Sequence, residues 1–176
     1  MMPGIDGIEA CAKIREISPA PVLFLTAKTQ ESDKYNAYSS GGDDFLSKPF
    51  SQPELLMKVD SLIRRYRVYR GKSFASAESI SDRILVDTEK RKIYKDGEAL
   101  DITDTEYMIF MYLLKNRGKP VSAYELYEGV WGEKYMPSSA NTVMVHMLNL
   151  RKKIEDDAAS PKIIRTVWGK GYQIDD

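Results

Sequence analysis

The sequence is poor in the residues that usually mark chemistry. Its 176 residues include one cysteine and one histidine. A single cysteine excludes an internal disulfide framework and fits a reducing compartment. Cys11 lies in a helix-like run and reads as core packing rather than as a nucleophile. One histidine and one cysteine argue against a zinc-type site. Net charge is also missing, since 26 basic residues balance 26 acidic ones. By itself this argues against bulk electrostatic attraction to nucleic acid. No apolar run approaches the roughly 18 residues of a membrane span, and no basic segment followed by an apolar one marks secretion. The expectation is a cytoplasmic protein without membrane contact. Hydrophobic content of 43% and charged content of 30% are ordinary for a globular chain. There is no Ser/His/Asp constellation and no GxxxxGK loop, which argues against an enzyme.

What is present falls into two segments. In the first, Ile5, Ile8, Ala12 and Ile14 recur at helical spacing. PVLFLTA (21–27) is a short, nearly continuous apolar run, as in a strand buried on both faces. A polar helix over 31–40 stops at Gly41-Gly42, and DDFLSKPF (43–50) holds a second strand. Ser51 and Glu54 then form a capping box that opens a helix with Leu55, Leu56, Val59, Leu62, Ile63 and Tyr66 facing inward. Alternation of helix and strand predicts a parallel α/β layer. Residues 67–79 lose this periodicity and read as a linker, dividing the chain into 1–66 and 80–176.

The second segment starts as a meander of short antiparallel strands, with Asp96-Gly97 as a hairpin turn. Three helices follow. Capping boxes pair Thr103 with Glu106 and Ser122 with Glu125, and Gly118 and Gly132 sit where the first two helices should end. A third helix spans about 138–155. IIRTVWGKGYQI closes the chain as a hairpin around Gly169-Lys170-Gly171.

Placed at about 100° per residue, the third helix sets Val143, Met147, Leu150 and Ile154 on one apolar face. Thr142, Val145, His146, Asn149 and Lys153 fall roughly opposite, beside Lys152, and offer groups that read base edges in a major groove. Arg151 lies on a flank, within reach of a phosphate. From 138 to 174 six basic residues stand against three acidic ones, although the segment from Ile80 onward is not basic, 15 against 16. Any affinity for DNA must come from local placement. Such affinity should be strongly salt-dependent. The reading requires Thr142, Val145 and Asn149 to point outward together. A polar outer face is also what any surface helix has, so His146 by itself reads as a packing residue, and Trp131 and Trp168 as structural.

Both segments resemble the OmpR/PhoB-type response regulators of two-component systems. In the second segment ITDTEYMIFMYLLKNRGKPVSAYELYEGVWG (102–132), NTVMVHMLNLRKKI (141–154) and IRTVWGKGYQI (164–174) match the winged-helix effector domain. In the first, MMPGIDG, Thr26 in FLTAK, and Lys48-Pro49-Phe50 match the receiver domain. NTVMVH with VWGKGY is similar to the vancomycin-resistance regulators of that family. The resemblance implies a partial receiver, the C-terminal half of a flavodoxin-like doubly wound parallel sheet, followed by an α+β winged helix–turn–helix domain.

It also implies roles. Thr26 would donate its hydroxyl to a phosphoryl group, Lys48 would neutralise it, and the bond to Pro49 would be cis. Phe45 stands where a switch aromatic moves. Lys34, Asp43, Asp44, Glu54, Lys58 and Arg65 fall where the family builds charged pairs across a dimer face. Thr142, Val145, His146, Asn149 and Arg151 match DNA-contacting positions, and the hairpin would be a wing reaching the minor groove. Many relatives carry arginines where this chain has Leu148, Asn149 and Trp168, which shifts wing contact toward Lys170. Expected partners are promoter DNA, a second copy of the chain, RNA polymerase and a sensor histidine kinase.

In the receiver pattern the phosphoacceptor aspartate precedes the proline of the M-P-G turn by three residues, and Pro3 has only two residues before it. The expectation is an N-terminally truncated receiver that lacks the phosphoacceptor and the acidic pair for magnesium, needs no cofactor, and leaves the 22–25 strand as an edge. Residues 1–66 are then expected not to fold as an isolated monomer. The alternative reading is a protein-interaction module that dimerises through the receiver remnant.

Overall fold

A computed structural model describes residues 5–27, 30–71, 78–79, 81 and 83–175. In the first unit, helix α1 (Gly7–Arg15) leads to strand β1 (Leu23–Thr26), helix α2 (Glu31–Ser39), strand β2 (Asp44–Ser47) and helix α3 (Gln52–Gly71). Asp6 caps α1 by accepting from the Glu9 N–H at 2.8 Å. Strands β1 and β2 pair in parallel, with Leu25 opposite Leu46 and Thr26 opposite Ser47. Among the described residues no other strand joins them. Gly42 is required where α2 turns into β2, because a Cβ there would lie 2.6 Å from the Phe24 ring and 2.8 Å from the Ala37 carbonyl oxygen. Cys11 is buried, as its place in a helical run suggested.

The expected linker needs correcting at both ends. Helix α3 continues through Arg67, Val68, Tyr69 and Arg70 to Gly71, and Glu78–Ser79 form strand β3. Loss of apolar periodicity does not end a helix whose residues are tolerable helix formers. Of the 67–79 stretch, residues 72–77 lie outside the described residues.

In the second unit β3 joins β4 (Ile84–Asp87), β5 (Lys92–Lys95) and β6 (Glu98–Ala99) in an antiparallel meander. Asp96 and Gly97 both take positive φ, 52° and 85°, as the tight hairpin turn between β5 and β6 needs. Helices α4 (Asp104–Lys115) and α5 (Ala123–Trp131) begin at complete capping boxes on Thr103/Glu106 and Ser122/Glu125. Gly132 closes α5 in the left-handed region. Helix α6 (Ser139–Ile154) and the hairpin β7 (Ile164–Val167) and β8 (Gly171–Ile174) complete the winged helix. Its core draws entirely on residues 84–174, with Trp131, Phe110, Ile93, Leu126 and Leu150 among the fully buried side chains.

The two units share a face. Helix α2 lies along α6, and α3 lies against α5.

Candidate nucleic-acid interface

Helix α6 sits in its domain as the helical wheel requires. Val143, Met147, Leu150 and Ile154 are buried in the core. The hairpin is fixed to the helix by polar struts. Arg151 donates from Nε and Nη2 to the Ile164 carbonyl oxygen, at 3.0 and 2.6 Å, and from Nη2 to Thr166 Oγ1 at 2.9 Å. Burial lowers its pKa from the ordinary guanidinium value. Glu155, itself buried, accepts the backbone N–H groups of Lys162, Ile163 and Ile164 at 2.7–3.1 Å. Arg151 is therefore engaged as a strut between helix and wing. Lys153 is likewise engaged, at 2.7 Å from Glu106 in the capping box of α4. Lys152 and Lys170 are exposed, as a phosphate-contacting role needs. Gly171 lets the wing approach the α4–α5 loop, since a Cβ there would lie 1.9 Å from the Val121 carbonyl oxygen. Trp168, at the tip, is 92% exposed.

The expected outward group is not outward. Thr142, Val145, His146 and Asn149 are buried, with exposures of 5, 3, 1 and 8%. Helix α2 covers them. The Tyr38 hydroxyl lies 3.0 Å from Thr142 Oγ1, and Asn149 Nδ2 donates to the Tyr38 carbonyl oxygen at 3.0 Å. The His146 ring stands 5.0 Å from that of Tyr38 and 5.4 Å from that of Trp131. The wheel separated Thr142, Val145 and Asn149 from their own domain's core, whereas His146 also meets Trp131. The wheel carried no information about which other part of the chain would lie on them. The exposed line on α6 is instead Asn141, Met144 and Lys152, with Leu148 half-buried between them. These positions lie nearly opposite Val143 and Leu150 on the wheel. That position is legible in the helical period.

Three of the charged residues expected on a dimer face are engaged within the chain. Asp43 is fully buried and ties the two units together. Its Oδ2 accepts from Arg15 Nη2 and the Val22 N–H, both at 2.7 Å, and its Oδ1 accepts from the Thr105 hydroxyl. The Asp43 carbonyl oxygen accepts from Trp131 Nε1 at 3.4 Å, and Ser61 Oγ donates to the Trp131 carbonyl oxygen at 2.8 Å. Lys58 bridges Asp44 at 2.8 Å and Glu133 at 2.7 Å. Burial raises the Asp44 pKa above the ordinary carboxylate value despite Lys58 beside it. Burial alone would lower Lys58, but Asp44 and Glu133 outweigh it and hold the ammonium above its ordinary value. Asp43, Asp44 and Lys58 thus face the winged helix of their own chain. They carry opposite charges that a buried setting forces into pairs, and the partner is internal. Lys34 lies over the Phe45 ring at 4.5 Å, and Phe45 meets Tyr38 edge-on. Glu54 is exposed, and the Arg65 side chain lies outside the described residues.

Thr26 and Lys48 come together at the carboxyl ends of β1 and β2, where the Lys48 N–H donates to the Thr26 carbonyl oxygen at 2.6 Å. That is the edge at which open α/β sheets bind ligands. The Lys48–Pro49 bond is cis, as the resemblance implied. Among the described residues no group of three His, Cys, Asp or Glu side chains is placed to hold a metal ion, and no helix is long and apolar enough to cross a membrane.

An α/β unit of receiver type covering the third helix of a winged helix–turn–helix defines a class, the response regulators with a DNA-binding effector domain. Comparison with known proteins agrees. Residues 1–60 match the family described as response regulator receiver domain, and residues 97–174 the one described as transcriptional regulatory protein, C terminal. The chain is 44% identical over 174 residues to YrkP of Bacillus subtilis (strain 168), an uncharacterized transcriptional regulatory protein, covering 98% of this chain and 75% of that one. It is 36% identical over 176 residues to the regulatory protein VanR of Enterococcus faecium, covering 99% and 76%. Among solved structures, the response regulator DrrB, a Thermotoga maritima OmpR/PhoB homolog, is 28% identical with a TM-score of 0.50, over 100% of this chain and 76% of that one. The DNA-binding domain of Klebsiella pneumoniae RstA, solved in complex with the RstA box, is 26% identical with a TM-score of 0.51, over 57% of this chain and 98% of that one. A mutant of RitR shares the fold with a TM-score of 0.72 over 97% of this chain and 73% of that one, at 21% identity. The chain belongs to the OmpR/PhoB-type response regulators, transcriptional regulators of two-component systems.

Proposed function

We propose that this regulator binds promoter DNA sequence-specifically through α6 and the β7–β8 wing, and that the α2–α6 contact holds it in a closed form that must open first. Two observations support a DNA role, the exposed line of Asn141, Met144 and Lys152 on α6 and a wing braced to that helix by Arg151 and Glu155. The complex of the RstA domain with its box belongs to a relative of the same effector domain and supports the same mode of use here. The single observation behind the closed form is burial of Thr142, Val145 and Asn149 beneath Tyr38. A helix lying in a major groove needs that flank clear.

The protein works by binding rather than turnover, and a sensor histidine kinase is its upstream partner. Dimerisation through the charged face competes with closure, because Lys58 cannot pair with a second copy while it holds Asp44 and Glu133. RNA polymerase is the downstream partner. The test is a fluorescence-anisotropy titration with promoter duplex at two salt concentrations, comparing the natural chain with Tyr38→Ala. Opening predicts tighter binding by the variant and salt-dependent affinity in both. Equal affinity would remove closure from the account. Salt-insensitive or absent binding would favour a second reading, that the α6 face is a protein-docking surface, for which its contact with α2 is the supporting observation.

A further inference from the structure

The first three turns of the reading helix carry no charge. From Ser139 to Leu150 there is no Asp, Glu, Lys or Arg. That absence limits which bases the helix can read. The common specific contact to guanine is a bidentate Arg or Lys, and cytosine is read by an acidic acceptor. Neither is available there. The first cation, Arg151, is held by Ile164 and Thr166. His146 lies between the Tyr38 ring of α2 and the Trp131 ring of its own domain, 5.0 and 5.4 Å away, and its imidazole does not present the bidentate donor pair of the guanine contact. What the arc cleared of α2 does carry is two amides, Asn141 and Asn149, three apolar side chains, Met144, Val145 and Leu148, and the Thr142 hydroxyl, which serves any base and adds no preference of its own. Met144 is 52% exposed although large and apolar. Amides pair bidentately with adenine, and apolar groups pack on the thymine methyl.

We infer that α6 reads an A·T-rich half-site, with Met144, Val145 and Leu148 packed on thymine methyl groups and Asn141 and Asn149 paired to adenines. This rests on the DNA-binding role proposed above. Asn141, Met144 and Leu148 are accessible in the closed form, and Val145 and Asn149 join them when α2 leaves. Lys152, one turn further on and exposed, meets the phosphate backbone and adds affinity without sequence preference.

The experiment selects bound sequences from a duplex library with a randomised centre, using the full chain and Tyr38→Ala in parallel so that closure does not mask binding. The selected duplex is then remade with uracil in place of thymine, which deletes the methyl and nothing else. A·T-dominated half-sites are expected. Each critical uracil should weaken binding about four-fold, the transfer worth of one buried methyl group. Met144→Ala and Leu148→Ala, at sites outside the core and checked by circular dichroism, should shrink that penalty. Lys152→Ala should lower affinity and leave the penalty unchanged. G·C-dominated half-sites, or uracil duplexes bound as well as thymine ones, would overturn the inference and leave DNA binding standing. Failure of either protein to enrich any duplex would overturn both.

Discussion

Asp43 shows how much one side chain can carry. It has no exposure, and its carboxylate accepts from Arg15, from the Val22 backbone and from Thr105 of the other unit. Asp43→Ala should lower unfolding stability by about 3–5 kcal/mol, the usual cost of breaking a buried pair and stranding its partner. Urea denaturation of both proteins checks this, and a change below about 1 kcal/mol would show that the pair is dispensable. Sequence reasoning identified Asp43, Asp44 and Lys58 as charges with a job, but did not reach the partners they hold within the chain. A charged residue announces that it needs a counter-charge. Which one it finds depends on contacts up to 75 positions away, as between Lys58 and Glu133, and local spacing does not reach so far. The acceptor of Arg151, the Ile164 carbonyl, lay out of reach for the same reason, since it is set by how the wing folds back.

Elements were more legible than partners. Capping boxes at Thr103 and Ser122, the Asp96-Gly97 turn and the left-handed Gly132 follow from rules spanning four residues or fewer, and each holds. The inward face of α6 was likewise visible from its 3.6-residue period. The end of α3 was not, because nothing local stops that helix before Gly71. The wing supplies a sharp test. Gly171 has a φ of 130° and no room for a Cβ against Val121, so Gly171→Ala should unseat the hairpin from the Val121–Tyr172 bridge. Loss of amide protection at Val121 and Tyr172, with α4 and α5 unchanged, is the expected hydrogen-exchange result. Because Trp131 is buried and Trp168 is exposed, acrylamide quenching reports the wing tip separately. DNA should shield Trp168 from the quencher, and unchanged quenching would place the tip away from the duplex.

At the scale of the whole molecule, two ionisable groups tie closure to pH. Burial, and then the Asp44 carboxylate, push the Tyr38 phenol well above its ordinary value, and Lys58 is raised by Asp44 and Glu133. Both groups hold their proton more tightly in the closed fold than in an unfolded chain. Their stabilisation is therefore full below about pH 10 and declines as pH rises beyond it. An alkaline titration should show the unfolding midpoint falling above that point, and Tyr38→Phe should reduce the delayed part of the tyrosinate absorbance change, to which Tyr107, Tyr124, Tyr127 and Tyr172 also contribute.

Closure itself is what most needs direct observation, and hydrogen exchange with and without a bound duplex provides it. If α2 must leave before α6 enters a groove, DNA should strip protection from the amides of α2 while those of α6 stay protected. Protection of α2 that is unchanged in the DNA-bound protein would contradict the account.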